Sequence, residues 1–446
     1  MGGYLSAFAP YIPYGGAGML PGVYDFPTCY ARVRAAYTNT LPVDAYRGAG
    51  RPEASYVLER LVDVAARDIG VAPDVLRRKN FIKPNQMPYT TPTDKIYDSG
   101  DFAAHMARAQ EVGDWNGFRQ RHAEARRRKK LRGIGLATYI EVCGGAGPQL
   151  ANVRLGPDGS VKVVIGSQST GQGHQTAYAQ LVAEQLDVPP DKVTVVQGDT
   201  DSIASGFGTG GSSSIPAGGA SVSNAARKLA DNLKKLAADA LETGPGDLEI
   251  ADGRVRIVGT DRAIGFADLA KRGKTEQLAT EDAWTPQPTF PNGTHLVEVE
   301  IDPATGGIEI MRYVVVDDFG VTINPLLLEG QVVGGAVQGI GQALMERTVY
   351  DKESGQLITA SLMDYALPRA DDSPAFHFET RNIPCTVNIL GVKGAGEAGT
   401  IGAAPAVMNA VIDALWRAHR VRHIDMPATP ERVWAAIHEA MRLHTL

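Results

Sequence analysis

What most constrains the fold of this chain is the placement of glycine: of 50 glycines in 446 residues, two polar glycine-rich loops stand immediately ahead of segments with helical periodicity. Gly171-Gln172-Gly173-His174 precedes one such segment, and Thr209-Gly210-Gly211-Ser212-Ser213-Ser214 precedes another. Backbone N–H groups at a helix N-terminus attract a negative charge by about 0.3–1 kcal/mol, and glycine leaves them bare. The two loops together predict a polar ligand, a phosphate or a heterocycle, held by backbone. Either loop alone is explained as well by an ordinary turn.

The elements around these loops follow from hydrophobic spacing. Glu53 to Asn80 reads as two helices broken near Gly70 and Pro73, with Leu58, Leu61, Val62 and Ala65 on one face. Residues 81–101 read as an extended connection rich in Pro, Thr and Asp, and Phe102 to Lys130 as one further helix, with a boundary near Arg132. Strands are predicted over residues 133–145, over 152–167 with a Pro157-Asp158-Gly159 turn, and over Val193 to Gln197. Gly171 to Asp187, Ala217 to Thr243, Gln331 to Tyr350 and Ala403 to His419 read as helices, and His295 to Val316 as a strand pair turning at residues 303–307. Helices and strands interleave without a regular βαβ beat, so the fold class is α+β.

A formal net charge of -6 gives no field for a polyanion, and nucleic acid is not an expected partner. The basic run Arg126 to Lys130 reads as a helix end, with a docking patch as the alternative. Cys29, Cys143 and Cys385 never form C-x-x-C, which excludes a self-contained iron–sulfur cluster and fits a reducing compartment. His419 and His423 stand four apart without a third ligand and read as surface residues. The first 20 residues lack a secretory pattern, so the expected location is the cytoplasm.

The stretch GQGHQTAYAQLVAEQLDVPPDKVTVVQGDTDSIASGFGTGGSSS resembles the cofactor-binding region of the large subunits of xanthine dehydrogenases, aldehyde oxidases and bacterial carbon monoxide dehydrogenases. Three more segments share the resemblance: Ala45-Tyr46-Arg47-Gly48-Ala49-Gly50-Arg51, residues 331–339 with Gln338, and the loop 391–399 with Glu397. It implies a two-part molybdenum-cofactor-binding domain, residues 1–130 completing a first subdomain and 131–446 forming the second. Gly171, Gln172, Gly173, His174, Thr209, Gly210, Gly211, Ser212, Ser213, Ser214 and Gln338 are implied to bind a molybdenum–molybdopterin cofactor, in its cytosine dinucleotide form, with no protein side chain on the metal. Glu397 is implied to be the catalytic base and Arg47 to orient a substrate or cofactor oxygen. The implied reaction is hydroxylation of an aldehyde or N-heterocycle with water as the oxygen source. Its electrons would pass to [2Fe–2S] and FAD groups on an iron–sulfur small subunit and a FAD medium subunit.

Gly48 stands where copper-dependent members of this family carry cysteine, which argues against carbon monoxide as substrate. The resemblance begins partway into the family's large subunit. The expected alternatives are a truncated or scaffold subunit, or a second polypeptide supplying the remaining half. Gly394-Ala395-Gly396-Glu397-Ala398-Gly399 also satisfies the G-x-G-x-x-G pattern of nicotinamide-dependent dehydrogenases. A carboxylate inside the turn that should meet pyrophosphate weighs against that reading.

Overall fold

Three long apolar strands, Leu131–Ile140, Asn292–Ile301 and Ile308–Asp318, pair antiparallel, and Phe376–Thr380 adds to the last of them in parallel. These strands come from distant parts of the chain in the computed structural model, which describes residues 1–144 and 147–443. Successive side chains on a strand serve opposite faces. Ala137, Tyr139, Val297, Val299, Tyr313 and Val315 therefore share one core with the helices Pro325–Leu344 and Ala398–His419. Leu136, Ile140, Leu296, Val314 and Val316 share the other with Leu58, Phe81, Phe102 and Met106 of the N-terminal segment.

The helix Ala398–His419 lies unusually close to this sheet, and glycine is the reason. A Cβ at Gly133 would lie 2.2 Å from the Ala410 carbonyl oxygen, and one at Gly135 2.3 Å from the Ala410 nitrogen and 2.4 Å from the Ala406 oxygen. Alanines at 406, 410 and 414 complete the contact from the helix side. This helix is long and apolar enough to cross a membrane by composition, yet all of it from Ala398 to Leu415 is buried within the fold.

A second four-stranded sheet has the order Ala279–Trp284, Gln149–Leu155, Val161–Ile165, Val193–Gln197. Its last two strands are parallel and joined through the helix His174–Leu186. That helix and Ala220–Leu241 bury Tyr178, Val182, Leu229 and Leu233 against Val153, Val163 and Ile165. Both glycine-rich loops thus leave this second sheet and enter helices that cover it.

The expected helices over 53–80 form as Arg51–Asp68 and Pro73–Asn80, and Val193–Gln197 is a strand. Within the expected extended connection, Tyr89–Thr90 and Ile96–Tyr97 form a short hairpin. The single helix expected over 102–130 is two, Phe102–Val112 and Phe118–Arg127. A Cβ at Gly113 would lie 2.8 Å from Leu296 on the sheet, and Asp114 turns the chain by accepting a hydrogen bond from the Gly117 N–H. The helix expected from 331 begins at Pro325, because Asn324 caps it by accepting from the Leu327 N–H and proline suits the first turn. That expected from 403 begins at Ala398, with Pro405 inside it. The G-x-G-x-x-G pattern of dinucleotide-binding folds follows a strand, and none precedes Gly394: residues 386–392 are irregular apart from one bridge between Val392 and Gly320. The dinucleotide-binding reading loses its structural context there. Of the strand expected over 133–145, residue 145 lies outside the described residues.

In the basic run, Arg128 forms a bidentate pair with Glu300, at 2.7 and 2.6 Å, and Lys130 pairs with Asp302 at 2.7 Å. These charges fasten the helix Phe118–Arg127 to the neighbouring strand. His423 pairs with Asp425 at the surface.

Candidate active site

The loop 45–51 carries backbone that only glycine adopts easily, with φ of +97° at Gly48 and +89° at Gly50. Gly50 is pressed against the helix Tyr11–Met19, where a Cβ would lie 2.1 Å from the Ile12 carbonyl oxygen. The turn starts the helix Arg51–Asp68 and points Arg47 and Arg51 the same way, toward the loop 391–397. Glu397 occupies the N-cap of the helix Ala398–His419.

Glu397 is held at both oxygens. Its Oε1 accepts a hydrogen bond from the Gly48 N–H at 2.9 Å, and its Oε2 accepts from Arg51 Nη2 at 2.8 Å and from Ser212 Oγ at 2.8 Å. Burial pushes its carboxyl up, but Arg51 together with the Gly48 and Ser212 donors outweighs it and holds the group below the usual carboxylate range. Its side chain remains 16% exposed, and it forms part of the wall of a cavity of about 620 Å³. Arg47 spans three segments: its Nε donates to the Gly396 carbonyl at 2.5 Å, its Nη2 to the Gln331 carbonyl and side chain, and its Nη1 to Gln338 Oε1 at 3.4 Å.

The two glycine loops supply further parts of the wall, and Ser212 of the second adjoins Glu397. Gly171, Gln172, His174, Thr209, Gly210, Gly211, Ser212 and Ser214 border the cavity, as do Arg47 and Glu397. Gly171 (φ +112°) and Gly211 (φ +58°) have nothing within 4 Å of where a Cβ would sit, so their backbone faces open space. Gln172 Oε1 accepts from the Thr170 N–H at 2.5 Å, which closes the first loop on itself, and Thr209 donates to the Gln168 carbonyl, which ties the second loop to the first. His174 is buried, pushed down to about 4 by desolvation, and therefore neutral near pH 7. Gly173, Ser213 and Gln338 stand behind the wall. Gly173 packs against Leu327, Ser213 donates to the Gly210 carbonyl at 2.8 Å, and Gln338 accepts from Arg47.

The roles of three residues escaped the sequence-based reading. Arg51 is the cation beside Glu397, although it stands at the end of the loop motif already singled out. Ser212 was placed among ligand-binding residues and not as a donor to Glu397. Glu141, buried in an apolar strand end, accepts from Arg51 Nη2 at 3.0 Å. Its signal was a lone acid between Ile140 and Val142. Cys29, Cys143 and Cys385 are free thiols, and Cys143 packs against Gly394.

A sheet that presents two glycine loops, beside a loop-borne ionised glutamate at a shared cavity, defines a cofactor-binding domain. Family comparison gives it a name: molybdopterin cofactor-binding domain models match residues 108–374 and residues 1–81, and the chain belongs to that family. The nicotine 6-hydroxylase large subunit of Paenarthrobacter nicotinovorans is 36% identical, over 92% of this chain and 53% of its own length. The carbon monoxide dehydrogenase large chain of Hydrogenophaga pseudoflava is 36% identical, over 94% and 55%. Among solved structures, quinoline 2-oxidoreductase from Pseudomonas putida 86 superposes with a TM-score of 0.88 at 33% identity, over 96% of this chain and 57% of that one. The chain spans about half the length of the curated relatives it matches.

Proposed function

We propose that this chain is the cofactor-holding part of a molybdenum hydroxylase large subunit, an oxidoreductase that hydroxylates an aldehyde or N-heterocycle with water as oxygen source. The observation that carries the reading is Glu397: an ionised carboxylate at the wall of a glycine-lined cavity. A base must be unprotonated and within reach of its proton. Oε2 is taken by Arg51 and Ser212, whereas Oε1 carries a single bond from Gly48 and keeps a lone pair for the incoming proton.

The open backbone at Gly171 and Gly211 suits a pterin, which hydrogen-bonds along its edge and needs flat, unobstructed approach. Residues 171–174 and 209–214 would hold it, with Gln338 acting through Arg47. When bound, the molybdenum–pterin group supplies two-electron redox chemistry, which the protein positions. Arg47, whose donors are engaged by Gly396, Gln331 and Gln338, locks the glutamate loop to the helix Pro325–Leu344. Gly48 supports a substrate other than carbon monoxide. It offers no thiolate, and a Cβ there would lie 2.5 Å from Pro52 Cγ.

The wider assembly belongs to the same proposal: the cytosine dinucleotide form of the cofactor, an iron–sulfur small subunit, a FAD medium subunit, and a cytoplasmic location. So does the division into residues 1–130 and 131–446. Relatives named as large subunits and large chains support a multi-subunit complex. The test is metal and pterin analysis of the complex purified from its host, with turnover on aldehydes and N-heterocycles. Near-stoichiometric molybdenum is expected in wild type and in Glu397→Gln, with the variant slower by about 10²–10⁴. A folded complex free of molybdenum would instead assign the chain a scaffold role.

A further inference from the structure

Two carboxylates share one cation beneath the cavity wall. Arg51 Nη2 lies 3.0 Å from Glu141 Oε1 and 2.8 Å from Glu397 Oε2, and Ser212 Oγ lies 3.2 Å and 2.8 Å from the same two atoms. The second guanidinium nearby, Arg47, turns its donors to Gly396, Gln331 and Gln338. The charge of Arg47 reaches both carboxylates, but it gives neither a hydrogen bond, and two ionised carboxylates crowded on the one guanidinium of Arg51 repel each other, so one of the pair carries a proton. The geometry identifies which. Both oxygens of Glu397 are served by donors, while Glu141 is fully buried and its Oε2 has no hydrogen-bond partner among the described residues. Such an oxygen is tolerated on a neutral acid and costly on an anion.

Resting on the reading of Glu397 as the base, we propose that Glu141 is a positioning residue for Glu397. As a neutral acid it leaves the charge of Arg51 and the proton of Ser212 to Glu397, and when it ionises it competes for both. Burial, and then the charge of Glu397, push the Glu141 carboxyl up to about 8. The other groups facing it are Arg51, Glu397, Cys143, Tyr11 and Arg47. The Cys143 thiol is raised by burial and then by Glu141, and Tyr11, which accepts from Arg51 Nη1 at 3.1 Å, is also raised by burial. Neither ionises before Glu141 does. Loss of Glu397 alignment is thereby tied to alkaline pH and to one side chain that never touches the cavity.

The experiment is infrared difference spectroscopy of the holo complex between about pH 6 and 10, following the C=O stretch of a protonated carboxylic acid, beside the pH profile of kcat/KM. The band is expected to disappear near pH 8 in wild type and to be missing in Glu141→Gln. In Glu397→Gln its midpoint should fall by about one pH unit or more, because the neighbouring charge is gone. The alkaline limb of kcat/KM should be present in wild type and lost in Glu141→Gln, with the acid limb retained. Burial also raises the Asp317 carboxyl, so the diagnostic band is the one with its midpoint near pH 8: that band, or an alkaline limb, surviving in Glu141→Gln overturns the proposal. Should Glu141→Gln fail to fold, an infrared midpoint equal in wild type and Glu397→Gln overturns it instead. Full turnover in Glu397→Gln would remove the base assignment, and the infrared titration would still report on the pair.

Discussion

Gly135→Ala tests whether the sheet glycines set the position of Glu397. Ordinary contact begins near 3.4 Å, and the added methyl would stand 2.3 Å from the Ala410 nitrogen and 2.4 Å from the Ala406 oxygen, so the helix Ala398–His419 has to retreat by about 1 Å. Overpacking of this kind costs about 1–3 kcal/mol, and replacing a strand glycine by alanine returns about 0.5–1 kcal/mol. The net expectation is a loss of about 1–2 kcal/mol. Because Glu397 caps that helix, a shift of this size also misplaces the carboxylate, for which a loss of about 10²-fold in turnover is reasonable. Urea midpoint and kcat would be measured together, on enzyme of matched molybdenum content. Gly246→Ala, where a Cβ meets nothing within 4 Å, is the control and should be neutral or stabilising by about 0.4–1 kcal/mol. A Gly135→Ala protein that matches wild type in both midpoint and kcat would refute the argument.

Two further outcomes are expected. Ser212→Ala removes a bond to an ionised carboxylate, worth about 1.5–3 kcal/mol, so the Glu397 carboxyl rises and the acid limb of kcat/KM moves to higher pH. The stability that depressed carboxyl contributes is present above its unfolded value and is lost as pH falls through its folded value, and Ser212→Ala should narrow that difference in a pH series of urea midpoints. Buried His295 is pushed down to about 3 by desolvation, whereas an unfolded histidine titrates near 6.5. The unfolded chain therefore binds the extra proton between those values, and stability should fall as pH drops through that window, by about 1.4 kcal/mol per pH unit at full slope. His295→Gln should flatten the slope by one proton, and an unchanged slope would show that His295 is protonated in the fold.

The parts of the site that sequence made legible are those with local signatures. The loops at 171–174 and 209–214 announce themselves by glycine ahead of a helix, and Glu397 by an acid within a glycine run. What stayed hidden depends on distant pairing. Nothing near Glu141 in sequence reveals that its strand end lies beside Arg51, because register across Leu131–Ile140 and Asn292–Ile301 is a property of the assembled sheet. The break at Gly113 was equally unreadable, since its cause is Leu296 on a strand far along the chain. The early start at Pro325 was readable in principle, as an asparagine followed by proline.

The hydrogen bond from Gly48 to Glu397 joins residues 349 positions apart. A ribosome adding about 5–20 residues per second needs roughly 20–70 s to make the second partner after the first. Throughout that interval Arg51 has neither of its carboxylate neighbours at first, then only Glu141, and the cavity lacks the wall that residues 392–397 supply. The glycine loops exist well before that wall does. The enclosed cavity is therefore finished only after residue 397 has been made and has reached Gly48 and Arg51.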